Sequence, residues 1–277
     1  GATGAPQGQC FRWNTINEGH YIGIVEGKKI EIVQKKETFR FVDLKEEEFL
    51  HTIVPYFDLK RDYQNIFDFL SKDSVMTPVV EYGWGLRLLL QDEWETLLSF
   101  ILSSNNNVKR IKMLVEKIAQ TYGSIQIKEK DGSRFYAFPT VSQLQSVKEE
   151  DYRLLGCGYR SKYLVDAVSK IASGDVELSL LRKWDYQTGL NRLLQIKGIG
   201  QKVADCILLY GAGKYESYPA DVWIKRMTNA FFFEQEATQK QIQAFAEEKW
   251  GQYAGFAQQY LFYYGREGEK TKVEGNQ

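Results

Sequence analysis

The chain has 277 residues, 43% apolar and 14% aromatic, which is enough for a packed core and excludes a disordered polymer. Its 36 Lys and Arg balance 36 Asp and Glu, which argues against binding a polyanion through bulk charge and leaves room only for a local basic face. Cys10, Cys157 and Cys206 include no CxxC pair, which excludes four-cysteine zinc or iron–sulfur sites and fits a reducing compartment.

GATGAPQ at the start reads as an expression remnant or stranded fragment and is set aside from fold reasoning. No secretory signal is visible, and the apolar runs are too short to span a bilayer, so no membrane partner is expected. HYIGIV (20–25), KIEIVQ (29–34) and TFRFV (38–42) alternate with the period of strands, around a turn at Glu26-Gly27-Lys28. LKEEEFLHTIVPYF then turns helical, and the remainder reads as nearly all helix. Asp92 and Glu95 suggest a capping box for EWETLLSFILSS. VKRIKMLVEKIAQTYG and SKYLVDAVSKIASG carry helical apolar spacing and stop at Gly123 and Gly174. Short helices are expected around 185–194, 201–210 and 221–232, with a second capping box at Thr238 and Gln241. A last helix should cover about 253–264, ahead of a charged, mobile tail. The expected fold class is α+β, with an N-terminal antiparallel sheet plus helix over 1–58 and a mainly helical region over 59–277.

The stretch QIKGIGQKVADCILLY (195–210) has the form of a helix–hairpin–helix spanning about 187–210. Gly198 and Gly200 permit a sharp turn and close approach of backbone to a ligand, which a Cβ would prevent. The helix from Gln201 aims unpaired N–H groups outward, a ready site for a phosphate. A plain helix–helix turn fits the same residues. Further on, Asp221 in YPADVWIKRM stands where an N-cap belongs, and most such aspartates are only caps. Yet Lys202 and Asp221 each open a helix across a short connection, so amine and carboxylate could face one cleft beside the hairpin.

GIGQKVADC followed by PADVW resembles the helix–hairpin–helix DNA glycosylase superfamily, and within it the bifunctional 8-oxoguanine DNA glycosylases. GQCFRW (8–13), SFILSSNNNVKRI (99–111), GCGYRSKY (156–163) and AGFAQQYLF (254–262) are similar to further segments of that family, in family order over most of the chain. The resemblance implies a DNA repair enzyme that excises 8-oxoguanine opposite cytosine and then nicks the strand by β-elimination. Its partner would be double-stranded DNA and its place inside the cell with the genomic DNA; apart from the resemblance, the small size and lack of an obvious oligomerisation stripe point to a monomer. It implies Lys202 as nucleophile and Asp221 as the carboxylate that stabilises the cationic sugar. Gly8 would accept the N7 hydrogen of the lesion, Gln258 would read its pairing edge, and Cys206 and Phe262 would cover its faces. Core packing is the bland reading of Cys206 and Phe262. Asn105 would enter the space left by the flipped base and Tyr159 would wedge beside it, while Arg110 and Arg160 would hold the opposite cytosine. Lys197, Gly198, Gly200 and Gln201 would form the phosphate-binding hairpin. Lys109, Arg110, Lys112, Arg160, Lys162, Lys197 and Lys202 would need to share one face to overcome the neutral net charge.

The chemistry requires no cofactor, and no side-chain metal ligands are proposed; the hairpin carbonyls could hold a structural cation. Three departures stand out: Trp223 replaces an expected phosphate-contacting histidine, Lys197 replaces a frequent proline, and the strand expected before GQCFRW is missing, so the N-terminal domain is expected to be incomplete. The open alternatives are a glycosylase of the same superfamily for another damaged base and a noncatalytic hairpin DNA-binding protein.

Overall fold

In the computed structural model, which describes residues 9–275 and side chains as far as Arg266, the chain opens with a four-stranded antiparallel meander in the order β1–β2–β3–β4. The strands are β1 (Trp13–Asn17), β2 (His20–Val25), β3 (Lys28–Lys35) and β4 (Thr38–Phe41). The last three follow the alternation in the sequence. Glu26 and Gly27 both take left-handed backbone (φ 49° and 75°), the twist that a two-residue hairpin needs. Alternation does not reveal β1, because four of its five residues are exposed. Trp13 faces Gly23 on the neighbouring strand, where a Cβ would come within 2.4 Å of the indole.

Beneath the sheet, Val25, Ile30 and Ile32 pack on Ile53, Tyr56, Phe57 and Leu89. Burying side chains of this size contributes roughly 1.5–3 kcal/mol each. Trp13 Nε1 donates to the Tyr56 hydroxyl at 2.8 Å, joining sheet to helices. The helical stretch there is α1 (Glu46–Glu48), a wider π turn (Phe49–Ile53) and α2 (Val54–Tyr56). The widening immediately precedes Pro55, which has no N–H to offer a regular ladder.

The helical region continues with α3 (Tyr63–Ser71), α4 (Met76–Tyr82), α5 (Glu93–Leu102) and α6 (Val108–Tyr122). A hairpin of β5 (Ile125–Lys128) and β6 (Arg134–Tyr136), which the sequence reading does not single out, interrupts the mainly helical region. Then come α7 (Val141–Leu144), α8 (Glu149–Leu155), α9 (Ser161–Ser173) and α10 (Tyr186–Leu193). The chain ends with α11 (Gln201–Ala212), α12 (Val222–Phe232), α13 (Gln239–Trp250) and α14 (Ala254–Gly275). The sheet followed by helices is the expected α+β arrangement.

α11 is the central helix: every residue from Val203 to Ala212 is buried, and its main partner is α5. Glycines set three of the close approaches. A Cβ at Gly189 of α10 would lie 2.8 Å from Leu208 of α11, and one at Gly255 of α14 would lie 2.5 Å from Leu209. At Gly265 it would lie 2.4 Å from the Met227 sulfur of α12, so α14 rests directly against α11 and α12.

Some local expectations change. Asp92 caps α5 by accepting from Glu95 N at 2.9 Å, but no reciprocal bond closes a box, because the Glu95 carboxylate pairs with Arg12 instead. The Thr238–Gln241 box is complete. Gly174 ends α9 in left-handed backbone, whereas Gly123 ends α6 in extended backbone, where a Cβ would come within 2.1 Å of the Ala137 carbonyl oxygen. α14 does not stop near residue 264; it continues as helix to Gly275, through a segment rich in the helix formers Glu and Lys.

Candidate active site

The hairpin lies between α10 and α11. Gly198 has φ +84° and packs against the Tyr163 ring, 2.4 Å from where a Cβ would stand, so both backbone and space require glycine there. Gly200 faces open space and is the N-cap of α11, with no side-chain cap bond. Ile199 is buried and pins the turn to the core, and Lys197 N donates to Asp166 Oδ2 at 2.8 Å. The first amides of α11 have no helical acceptor, which leaves an electropositive N-terminus exposed beside Gly198 and Gly200. The Gln201 side chain turns inward, donating to Asp205 Oδ2 at 3.0 Å and to the Tyr186 hydroxyl at 3.2 Å. Its contribution to an anion site is therefore confined to its backbone. Among the hairpin carbonyls, Gln195 already accepts from Lys170 Nζ at 2.7 Å and Ile196 accepts from Ile199 N at 3.2 Å. No group of three or more His, Cys, Asp or Glu side chains able to hold a metal occurs among the described residues.

Lys202, in the first turn of α11, opens onto a cavity of about 360 Å³. Asp221, Cys206, Gln258 and Phe262 line the same cavity, so five of the residues singled out in the sequence meet there. Asp221 reaches it through the connection after α11, in which Tyr218, Pro219 and Ala220 are buried. Asp221 Oδ1 accepts from Ile224 N at 2.8 Å, so the residue is both the cap of α12 and part of the cavity wall. Cys206 lies one turn beyond Lys202 and is 4% exposed; burial pushes its thiol up to about 12. It is a neutral packing surface at physiological pH and not a nucleophile.

Gln258 is 4% exposed and donates from Nε2 to the Pro219 carbonyl at 2.9 Å. That acceptor can take only the amide's nitrogen, which fixes the side-chain orientation and turns Oε1 the other way. Oε1 is buried and has no hydrogen-bond partner. An unpaired buried acceptor costs about 1–3 kcal/mol, so Oε1 would gain from a donor that a bound ligand brought within its reach. Phe11, Phe100 and Tyr210 add an aromatic wall, with Phe100 stacked on Tyr210 at 5.5 Å and Phe11 edge-on to Phe100 at 5.4 Å. Alternation and helical spacing mark none of these three as site residues; Phe11 lies inside the GQCFRW segment, Phe100 inside SFILSSNNNVKRI, and Tyr210 on the apolar face of the helix from Gln201.

Phe11 is held from both sides. Gln9 is fully buried, with Nε2 on the Arg87 carbonyl at 3.0 Å and Oε1 on Leu89 N at 2.9 Å. Arg12 pairs with Glu116 at 2.8 Å and Glu95 at 3.4 Å, and Nη2 donates to the Tyr136 carbonyl at 2.7 Å. Gly8, the expected acceptor of the lesion's N7 hydrogen, lies outside the described residues.

Asn105, Arg110, Tyr159 and Arg160 form a second group beside the cavity, joined to it by the α5–α6 loop. Ser103, Asn106 and Asn107 of that loop line the cavity, while Ser104 and Asn105 face the loop after α8. Asn105 is exposed with φ +46°, a conformation that asparagine tolerates better than most residues, and its Nδ2 lies 3.3 Å from the Tyr159 hydroxyl. Arg160 stacks on Tyr159 and donates to the Ser104 carbonyl at 2.7 Å and the Asn105 carbonyl at 2.9 Å. It is 7% exposed and braces the loop. Arg110 is exposed, with Nη2 on the Gly156 carbonyl at 2.9 Å. Two members of the expected basic face are therefore withdrawn from it: Arg160 is buried, and Lys112 Nζ donates to the Trp13 carbonyl at 2.7 Å. Lys109, Arg110, Lys162 and Lys197 stay exposed.

Residues 5–97 match the family described as the 8-oxoguanine DNA glycosylase N-terminal domain, and residues 98–252 the HhH-GPD superfamily of base excision DNA repair proteins. The chain is 32% identical over 246 residues to a probable N-glycosylase/DNA lyase of Methanothermobacter thermautotrophicus, covering 82% of this chain and 78% of that one. It is 29% identical to the N-glycosylase/DNA lyase of Saccharomyces cerevisiae, covering 92% and 80%. A crystal structure of the Clostridium acetobutylicum 8-oxoguanine glycosylase/lyase with double-stranded DNA carrying cytosine opposite 8-oxoguanine superposes with a TM-score of 0.90 at 39% identity, over 95% of this chain and 90% of that one.

Proposed function

The chain belongs to the HhH-GPD superfamily of base excision DNA repair proteins and carries the N-terminal domain of the 8-oxoguanine DNA glycosylases, and from that membership we infer that it removes 8-oxoguanine from duplex DNA and cleaves the resulting abasic site. It is a DNA glycosylase with lyase activity, its partner is double-stranded DNA, and a repair enzyme of genomic DNA works inside the cell. The observation that carries the mechanism is the meeting of Lys202 and Asp221 in one cavity with Gln258, Cys206 and Phe262.

The target bond is buried in stacked DNA, so the nucleotide must leave the helix at a cost of a few kcal/mol. Phosphates beside it would bind the open N-terminus of α11 and the hairpin amides. The extruded base fits between Phe262 and Cys206, and its pairing edge supplies the donor that Gln258 Oε1 lacks. Lys202, as the free amine, attacks C1′; the C1′–N9 bond breaks and the base departs with its electron pair and a proton. Asp221 offsets the positive charge that develops on the sugar. The C1′ adduct opens to an imine, and loss of a C2′ proton expels the 3′ phosphate. Asn105 and Tyr159 fill the vacated space, and exposed Arg110 contacts the opposite cytosine through its N3 and O2 acceptors. Arg160 would reach the same base only after releasing the Ser104 and Asn105 carbonyls.

Borohydride trapping on a duplex with 8-oxoguanine opposite cytosine tests this reading. A covalent adduct should form with the parent protein and vanish in Lys202→Gln, and absence of an adduct in the parent overturns the imine mechanism. A panel of other lesions in the same duplex measures the substrate range.

A further inference from the structure

Gln258, Phe262 and Arg266 recur every four residues on α14, so they form one stripe, and all three line the cavity. Their exposure rises along it: Gln258 is buried, Phe262 half-buried and Arg266 exposed. At 1.5 Å per residue the stripe advances about 12 Å from the deep end to the rim. The Arg266 guanidinium lies over the Phe262 ring, 5.5 Å from its centroid, and forms no ion pair with a carboxylate among the described residues. Among the described residues, the other charged groups lining the cavity are Lys202 and Asp221. An amine that attacks as the free base carries no positive charge at that moment, and the carboxylate adds a negative one. A nucleotide lodged with its base edge on Gln258 brings phosphate charge to the rim, and a permanently charged, planar donor stands there to meet it.

We propose that Arg266 is a phosphate-binding residue for the extruded nucleotide, so that one face of α14 reads the pairing edge, the base face and the backbone in order from the deep end outward. The proposal rests on the glycosylase reading of the cavity. It assigns Arg266 a role in holding the flipped nucleotide and none in breaking the glycosidic bond.

The test measures binding to a duplex containing a tetrahydrofuran abasic analogue, which cannot be cleaved, across a salt series. Parent, Arg266→Ala and Arg266→Lys are compared. Losing one phosphate contact should flatten the slope of log affinity against log salt by about 0.9. Arg266→Ala should show that change with an affinity loss of about tenfold at low salt, and Arg266→Lys should recover the slope with part of the affinity. In cleavage of the 8-oxoguanine duplex, the loss should fall on KM rather than kcat. An unchanged slope in Arg266→Ala overturns the proposal, as does a fall in kcat with the slope intact, which would mark a role in stacking on Phe262. Failure of the parent to cleave the 8-oxoguanine duplex would instead sink the glycosylase reading, while the binding slopes would still decide the role of Arg266.

Discussion

Asp221 occupies two places with one side chain. Oδ1 caps α12 through Ile224 N, and the same carboxylate borders the cavity that Lys202 enters. Asparagine keeps the oxygen that caps the helix and removes the charge that would stabilise the sugar cation. Asp221→Asn should therefore leave the melting temperature within a few degrees while lowering the single-turnover excision rate by about 10²-fold or more. Unchanged rates would remove Asp221 from the chemistry, and a large loss of stability would mean that the cap is its main role. Gln258 presents a different residue-scale lesson. One N–H of its amide is held by the Pro219 carbonyl, while its acceptor oxygen has no partner. The sequence shows an amide free to turn either way; the fold fixes which end is which.

At the scale of elements, the hairpin is braced by a buried acid that the motif reading passed over. Asp205 of α11 is fully buried, accepting from the Tyr186 hydroxyl of α10 and from Gln201 Nε2. The Tyr186 hydroxyl, which also accepts from Gln201 Nε2, ties the two helices of the hairpin together behind Lys202. Burial pushes the Asp205 carboxyl up from 3.8 to about 6, so the folded protein holds this proton more tightly than the unfolded chain. The stability so gained is complete below about pH 4 and disappears as pH rises through about 6. A shift of this size corresponds to on the order of 3 kcal/mol, or roughly 5–10 °C in melting temperature. Asp205→Asn, which cannot ionise, should melt with a flatter pH dependence between pH 4 and 7 than the parent. Parallel melting curves for the two proteins across that range would refute the linkage.

At the scale of the whole molecule, sheet and helical region are joined through the first described residues. Arg12 pairs with Glu95 of α5 and Glu116 of α6 and reaches the Tyr136 carbonyl of β6, while Gln9 binds Arg87 and Leu89 in the connection before α5. The two anchors place Phe11 in the cavity wall. Burial pushes the Glu95 carboxyl up to about 7 even beside Arg12, so removing the guanidinium would leave two carboxylates poorly compensated. Arg12→Gln should cost about 3–5 kcal/mol in urea unfolding. It should also impair excision, because Phe11 loses one of its anchors. Full stability in that variant would show that the clamp is dispensable.

Much of this protein is legible from the chain alone. Period-2 alternation marks β2, β3 and β4, and helical spacing with its caps marks α6, α9 and α13, because each of these elements keeps one face exposed. GIGQK and PADVW likewise mark the hairpin and the helix starts that carry Lys202 and Asp221, since hairpin and cap chemistry are local. The rest required the fold. α11 is buried along nearly its whole length, so no periodicity can say which of its residues face a cavity and which face the core. The Glu95 carboxylate leaves its own helix end for Arg12, a partner distant in sequence, and local capping rules cannot anticipate such a competitor. Arg160, Lys112 and Gln201 look like exposed polar groups in the sequence, yet each reaches an acceptor on another element that packing brings near: the Ser104 carbonyl, the Trp13 carbonyl and the Tyr186 hydroxyl. Local patterning determines which elements form and which residues could react. Packing of distant segments decides which side chains share a cavity, because burial and hydrogen-bond partners are properties of the assembled molecule.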